Sequence, residues 1–180
     1  MAACNLSQGR QEQCKESIGG IQGVYFLNFT TGSFTKNGDL EVTALPSGST
    51  VYYYELKGAN NSYTETVNSS RDNGTTFFSQ ELSMTLKKLT NEMTTQLKLL
   101  AYGRPQVIVW TKNGESLLVG EVQGAELTGG TIQTGAALGD LYGYTITMTG
   151  EEKLPAAFLS GSTQTNPFAG LSSQPTVVYS

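Results

Sequence analysis

The 180-residue chain contains no histidine, which removes Ser-His-Asp and Cys-His nucleophile systems together with the commonest metal ligand. Charge is scarce too. Charged residues make up 14%, and the 11 Lys and Arg are scattered, with Lys87-Lys88 the only adjacent pair. A net charge of −4 and a pI near 4.8 argue against a surface that grips nucleic acid, since such surfaces neutralise phosphates with clustered bases. The Lys87-Lys88 pair reads as a solvated strand end. No run approaches the roughly 20 apolar residues that span a bilayer, and the first residues lack the basic start and apolar stretch of a signal peptide, so a cytoplasmic chain is expected. Neither Gly-x4-Gly-Lys-Ser/Thr nor Gly-x-Gly-x2-Gly occurs, which leaves the many glycines as turns and not as a phosphate cradle. Cys4 and Cys14 would need two carboxylates to complete a zinc site. Free thiols are expected in a reducing cytosol, with a disulfide closing the N-terminal arm as the alternative. No metal and no cofactor are expected.

What is abundant points to strands. Hydrophobic residues reach 38%, with 21 glycines and nine tyrosines, and Thr, Ser and Asn are plentiful, which is a β-protein composition. The length suits one domain with arms. Residues 1–18 are polar without a sustained period and read as an N-terminal arm, 19–159 as the β domain, and 160–180 as a C-terminal arm with apolar points at Phe168, Leu171 and residues 177–179.

Within the domain, residues 24–29 and 40–45 read as strands around an Asn37-Gly38-Asp39 turn. Residues 51–56 and 63–68 read as a hairpin whose polar tip is Lys57, Gly58, Ala59, Asn60, Asn61 and Ser62. A loop at 69–74 leads to a strand at 77–86. A helix is predicted over 90–102, capped by Thr90 or Asn91, with Met93, Leu97, Leu100 and Ala101 on one face and Gly103 and Pro105 ending it. Asn113-Gly114 predicts a type I′ hairpin turn. Residues 124–143, with six glycines, read as a loop or broken strand, followed by a core strand at 144–149.

Candidate chemistry is thin. Glu151-Glu152, or Glu12 with Glu16, are the carboxylate pairs available for glycosidase work. Adjacent strand residues point to opposite faces, and the other pair lies in the arm, so both are set aside and no enzyme is expected. Tyr52-Tyr53-Tyr54 reads as core and interface packing, because Tyr53 faces away from its neighbours and stacking grooves are electropositive. Trp110, in mid-strand, reads as a core residue.

The order of features over residues 77–159 resembles a known family. It comprises the strand Phe77-Phe78-Ser79-Gln80-Glu81-Leu82-Ser83-Met84-Thr85-Leu86 and the helix ending Leu99-Leu100-Ala101-Tyr102-Gly103. The hairpin Val107-Ile108-Val109-Trp110-Thr111-Lys112-Asn113-Gly114 with Leu117-Leu118-Val119-Gly120 follows, then Gly124-Ala125-Glu126-Leu127 and Gly143-Tyr144-Thr145-Ile146-Thr147-Met148-Thr149-Gly150-Glu151-Glu152. This succession is similar to bacteriophage tail tube proteins and to the tail-hub or ring proteins of crAss-like and related phages.

The resemblance implies a mainly β sandwich or barrel with one flanking helix. It also implies a homo-oligomeric virion protein, expected as a hexameric ring of the tail tube or head-tail junction. The ring is assembled in the bacterial cytoplasm, partnered by itself and by other tail or connector proteins, and threaded by DNA that it does not bind tightly; no membrane partner is expected. A lumen that lets DNA slide should repel phosphates, and Glu41, Glu55 and Glu65, on predicted strands, are the candidates to line it. The 57–62 tip is the candidate for ring-to-ring contact. The alternatives are a head-decoration or tail-terminator protein that forms no tubes, a carbohydrate-binding fibre module using the tyrosines and Trp110, and the tube of a secretion apparatus.

Overall fold

Residues 24–27 are apolar at every position, the mark of a strand covered on both faces. That strand, β1 (Ile21–Leu27), lies inside a six-stranded sheet. In a computed structural model that describes residue 6 and residues 8–12, 14–38 and 40–179, β1 is followed by β2 (Thr35–Lys36), β3 (Val42–Ala44), β4 (Thr50–Glu55), β5 (Ser62–Ser70) and β6 (Thr75–Lys87). Then come α1 (Asn91–Tyr102), β7 (Gln106–Thr111), β8 (Ser116–Val119), β9 (Glu126–Gln133), β10 (Gly143–Glu152), β11 (Ala157–Phe158) and β12 (Thr176–Val178). The protein is mainly β with one helix, as expected. The six-stranded sheet has the order β11-β8-β7-β1-β4-β12, a four-stranded sheet the order β5-β6-β10-β9, and β2 pairs with β3.

Two apolar layers follow from strand alternation. Val24 and Phe26 of β1, with Val107, Val109 and Val119, face Leu82, Met84, Tyr144, Ile146 and Met148 of the four-stranded sheet. This is the sandwich core. Tyr25 and Leu27 point the other way and join Val51, Ile108, Trp110 and Leu118 in a second cluster, closed by Val42, Leu45, Leu159, Phe168 and Leu171. Residues 160–179, expected as an arm, therefore complete the domain. Phe168 and Leu171 are buried, the indole Nε1 of Trp110 donates to the Thr163 carbonyl at 2.9 Å, and β12 adds to β4 in parallel, Val177 opposite Val51. Apolar residues spaced too irregularly for a periodic signal still bury when a sheet face is open to them. The described residues of 1–18 are exposed and outside strands and helices, and Cys14 is a free, exposed thiol. Cys4 lies outside the described residues.

Helix α1 obeys its sequence signals. The Thr90 hydroxyl accepts from the Met93 N–H at 3.1 Å, and Met93, Leu97 and Leu100 lie against the sandwich core. The Tyr144 hydroxyl fixes the cap to the sheet through the Thr90 carbonyl at 3.0 Å and the Thr94 hydroxyl at 2.8 Å.

Two turns differ from expectation. At 111–115 only Gly114 has positive φ, +96°, and its N–H donates to the Thr111 carbonyl at 3.1 Å. The hairpin thus closes with a type I turn followed by a left-handed glycine, not a type I′ turn. Asn113 stays right-handed and accepts the Ile18 N–H at 2.9 Å. Residues 51–56 and 63–68 do not form a hairpin: β4 belongs to one sheet and β5 to the other. The segment between them is an inter-sheet corner. The long hairpin is instead β5–β6, in register from Ser62 opposite Ser83 to Ser70 opposite Thr75. The glycine-rich stretch supplies β9, bulged where Gly129 and Leu127 bracket an extra residue opposite Thr147 and Met148.

Candidate functional site

Among the described residues no group of three or more Cys, Asp or Glu side chains is placed to hold a metal. The carboxylates that do turn inward are structural ties. Glu65 Oε1 accepts from the Ala156 N–H at 3.0 Å and from Gln80 Nε2 at 3.3 Å, and its Oε2 from the Tyr63 hydroxyl at 3.4 Å. Gln80 Oε1 accepts the Gly120 N–H at 2.9 Å. Glu152 Oε1 accepts from Val122 and Gln123 N–H at 2.8 and 2.7 Å. These bonds fasten the loop after β8 and the loop after β10 to the four-stranded sheet; Glu121, paired with Lys36, shares a cleft with Glu152.

The surface with the clearest character is the outer face of the four-stranded sheet. Because opposed residues share a face, the register places Ser79, Glu81, Ser83 and Thr85 of β6 beside Glu151, Thr149, Thr147 and Thr145 of β10. On one flank β5 adds Ser62, Thr64 and Thr66. On the other β9 adds Thr131, Gly129 and Glu126. Hydroxyls and the exposed carboxylates of Glu81, Glu126 and Glu151 cover this face, and no base lies on it until Lys87 at the last residue of β6. Both outer strands of the sheet, β5 and β9, have an unpaired edge among the described residues.

The β5–β6 hairpin also outruns its neighbour. Strand β10 pairs with β6 only as far as Phe78, so Asn68 to Ser70 and Thr75 to Phe77 pair only with each other around an exposed turn at 71–74. Phe77, 38% exposed, lies on this projection, and Val67, 60% exposed, lies at its base opposite Phe78.

The sequence candidates for the lumen are dispersed. Glu41 sits at the β2–β3 turn and accepts from Asn37 Nδ2 at 2.5 Å. Glu55 ends β4 in the other sheet and pairs with Lys57 at 3.1 Å. Glu65 faces the interior. The 57–62 segment does not project as a tip either. Asn61 is buried, its Oδ1 accepts the Thr85 N–H at 2.9 Å, and the Asn60 carbonyl accepts from the Thr85 hydroxyl at 3.4 Å. Strand parity was the available signal: with Tyr144, Ile146 and Met148 inward, Thr145, Thr147, Thr149 and Glu151 must face out.

No family model matches the chain, and no curated protein and no solved structure is detectably similar to it.

Proposed function

We propose that the chain is a ring-forming virion subunit of a phage tail tube or head-tail junction, and that the outer face of its four-stranded sheet lines the passage for DNA. The observation that carries this reading is the union of two open strand edges with a face of hydroxyls and carboxylates that lacks bases over most of its area. Open edges are pairing templates. Joining β5 of one copy to β9 of the next is a head-to-tail contact, which closes into a ring when the rotation per copy allows. The enclosed wall would then present Glu81, Glu126 and Glu151, repelling phosphates while the hydroxyls stay hydrated. The projecting end of the β5–β6 hairpin takes the ring-to-ring role earlier given to residues 57–62.

Negative-stain microscopy of the purified protein, with light scattering on the same sample, tests the reading. Rings or stacked tubes with a central hole are expected. A chain that stays monomeric at every concentration overturns the tube and favours a decoration protein.

A further inference from the structure

The second apolar cluster does not close completely. Where residues 160–179 fold back over the six-stranded sheet they leave a cleft of about 490 Å³. Its floor includes Tyr25 and Phe168, whose rings meet edge to face at 4.9 Å. Its walls include Tyr53 and Tyr179, with ring centroids 5.6 Å apart, and the carboxamides of Asn166 and Gln174. Among the described residues no charged side chain lines it.

The polar groups here are left over from folding. The Tyr25 ring is buried, while its hydroxyl is not one of the enclosed unpaired atoms, which among the described residues are Gln106 Oε1 and Ser116 Oγ, and so opens on the cleft that it lines with Tyr53 and Tyr179. A phenol open to a cleft is free to donate to and accept from a ligand. Asn166 uses its Oδ1 to accept the Phe168 N–H at 2.9 Å, which leaves its amide N–H groups to donate. Gln174 uses Nε2 to donate to the Phe168 carbonyl at 2.6 Å and to the Leu171 carbonyl at 3.4 Å, which leaves its Oε1 to accept. Burial pushes the Tyr25 phenol well up, helped by Tyr53 and Tyr179. Burial also raises Tyr53, with Glu55 and then Tyr179 adding to it. Both therefore remain neutral hydroxyls over the physiological range.

Aromatic rings, neutral hydroxyls and carboxamides, with no charged side chain among the described lining residues, suit a ligand that has apolar C–H faces, many hydroxyls and no charge. An anion would find no base among the described lining residues. We propose that this cleft binds a neutral saccharide of one or two sugar units, laid against Tyr53 and Tyr179 and hydrogen-bonded by the Tyr25 hydroxyl, Asn166 and Gln174. The size is that of small-ligand pockets. The inference does not depend on ring assembly.

Trp110, the only tryptophan, also lines the cleft and serves as reporter. The full chain is titrated with maltose, lactose and diacetylchitobiose, with glucuronate as the anionic control, and applied to an array of neutral and acidic glycans. A saturable shift of Trp110 emission with a neutral disaccharide is expected. Tyr179→Ala should weaken binding about tenfold, on the scale of one lost aromatic contact, and Tyr25→Phe, which keeps the ring and removes the bonding hydroxyl, should weaken it as well. No response to any neutral glycan, retention of acidic glycans alone, or variants that bind like the native chain would overturn the proposal.

Discussion

At the scale of single residues, Tyr25, Tyr53, Tyr54 and Tyr63 stand out because their surroundings hold them neutral. Burial raises the Tyr63 phenol, and the charge and hydrogen bond of Glu65 raise it further. Tyr54 is raised by burial alone, and Tyr25 and Tyr53 are raised as well. A phenol whose folded pKa lies above its unfolded value of 10.0 contributes stability that is complete below that pH and is lost as pH rises through the folded value. Denaturant midpoints should therefore stay level with respect to these groups up to about pH 10 and fall above it. The decline should be shallower in Tyr25→Phe and Tyr63→Phe. An alkaline limb unchanged by both substitutions would mean that other groups drive it. Glycines are constrained in a different way. A Cβ on Gly143 would collide with the Leu86 carbonyl, and one on Gly23 would enter the Tyr53 ring, so both hold close backbone or ring contacts that sequence shows only as a missing side chain.

Elements differ in how openly the sequence declares them. Helix α1 begins at the capping threonine and ends at the glycine that its pattern named, because caps and apolar spacing are local. Strands β1, β4, β6, β7 and β10 fall where apolar alternation or continuous apolar runs predict them. The β4–β5 relationship was not legible, since a polar link between two strands looks the same whether the chain turns back in one sheet or crosses to another. Nor was the role of residues 160–179, whose Phe168 and Leu171 gain meaning only from the open face they cover. The candidate surface was half legible: alternation exposes Glu81 and Glu151, but only the register of β9 brings Glu126 beside them. For the C-terminal segment the test is truncation after residue 159. Burial of Phe168 and Leu171 contributes about 1.5–3 kcal/mol each, and Trp110 loses its carbonyl partner. The truncated chain should melt well below the native one, with red-shifted Trp110 emission. A free arm would leave both unchanged.

At the scale of the whole molecule, charge is sorted by surface, and the sorting can be reversed. Replacing Glu81, Glu126 and Glu151 by lysine changes exposed positions only, so stability should move by no more than about 0.5 kcal/mol per site. Short duplex DNA, which the native protein should not retain, should bind the triple variant with an affinity that falls steeply with salt, read by fluorescence anisotropy. Native protein that already binds DNA at low salt would count against the passage reading. The way residues 160–179 close the second cluster also sets a timetable for synthesis. Strand β1 is made well before residues 160–179, which cover its outer face. Until then the nascent sheet carries Tyr25, Ile108 and Trp110 bare, a state prone to sticking to its neighbours. Pairings between distant parts of the chain, such as β12 with β4, also fold slowly. The outer face of the six-stranded sheet thus gains its cover only once residues 160–179 have emerged, and chaperone demand should fall at that point.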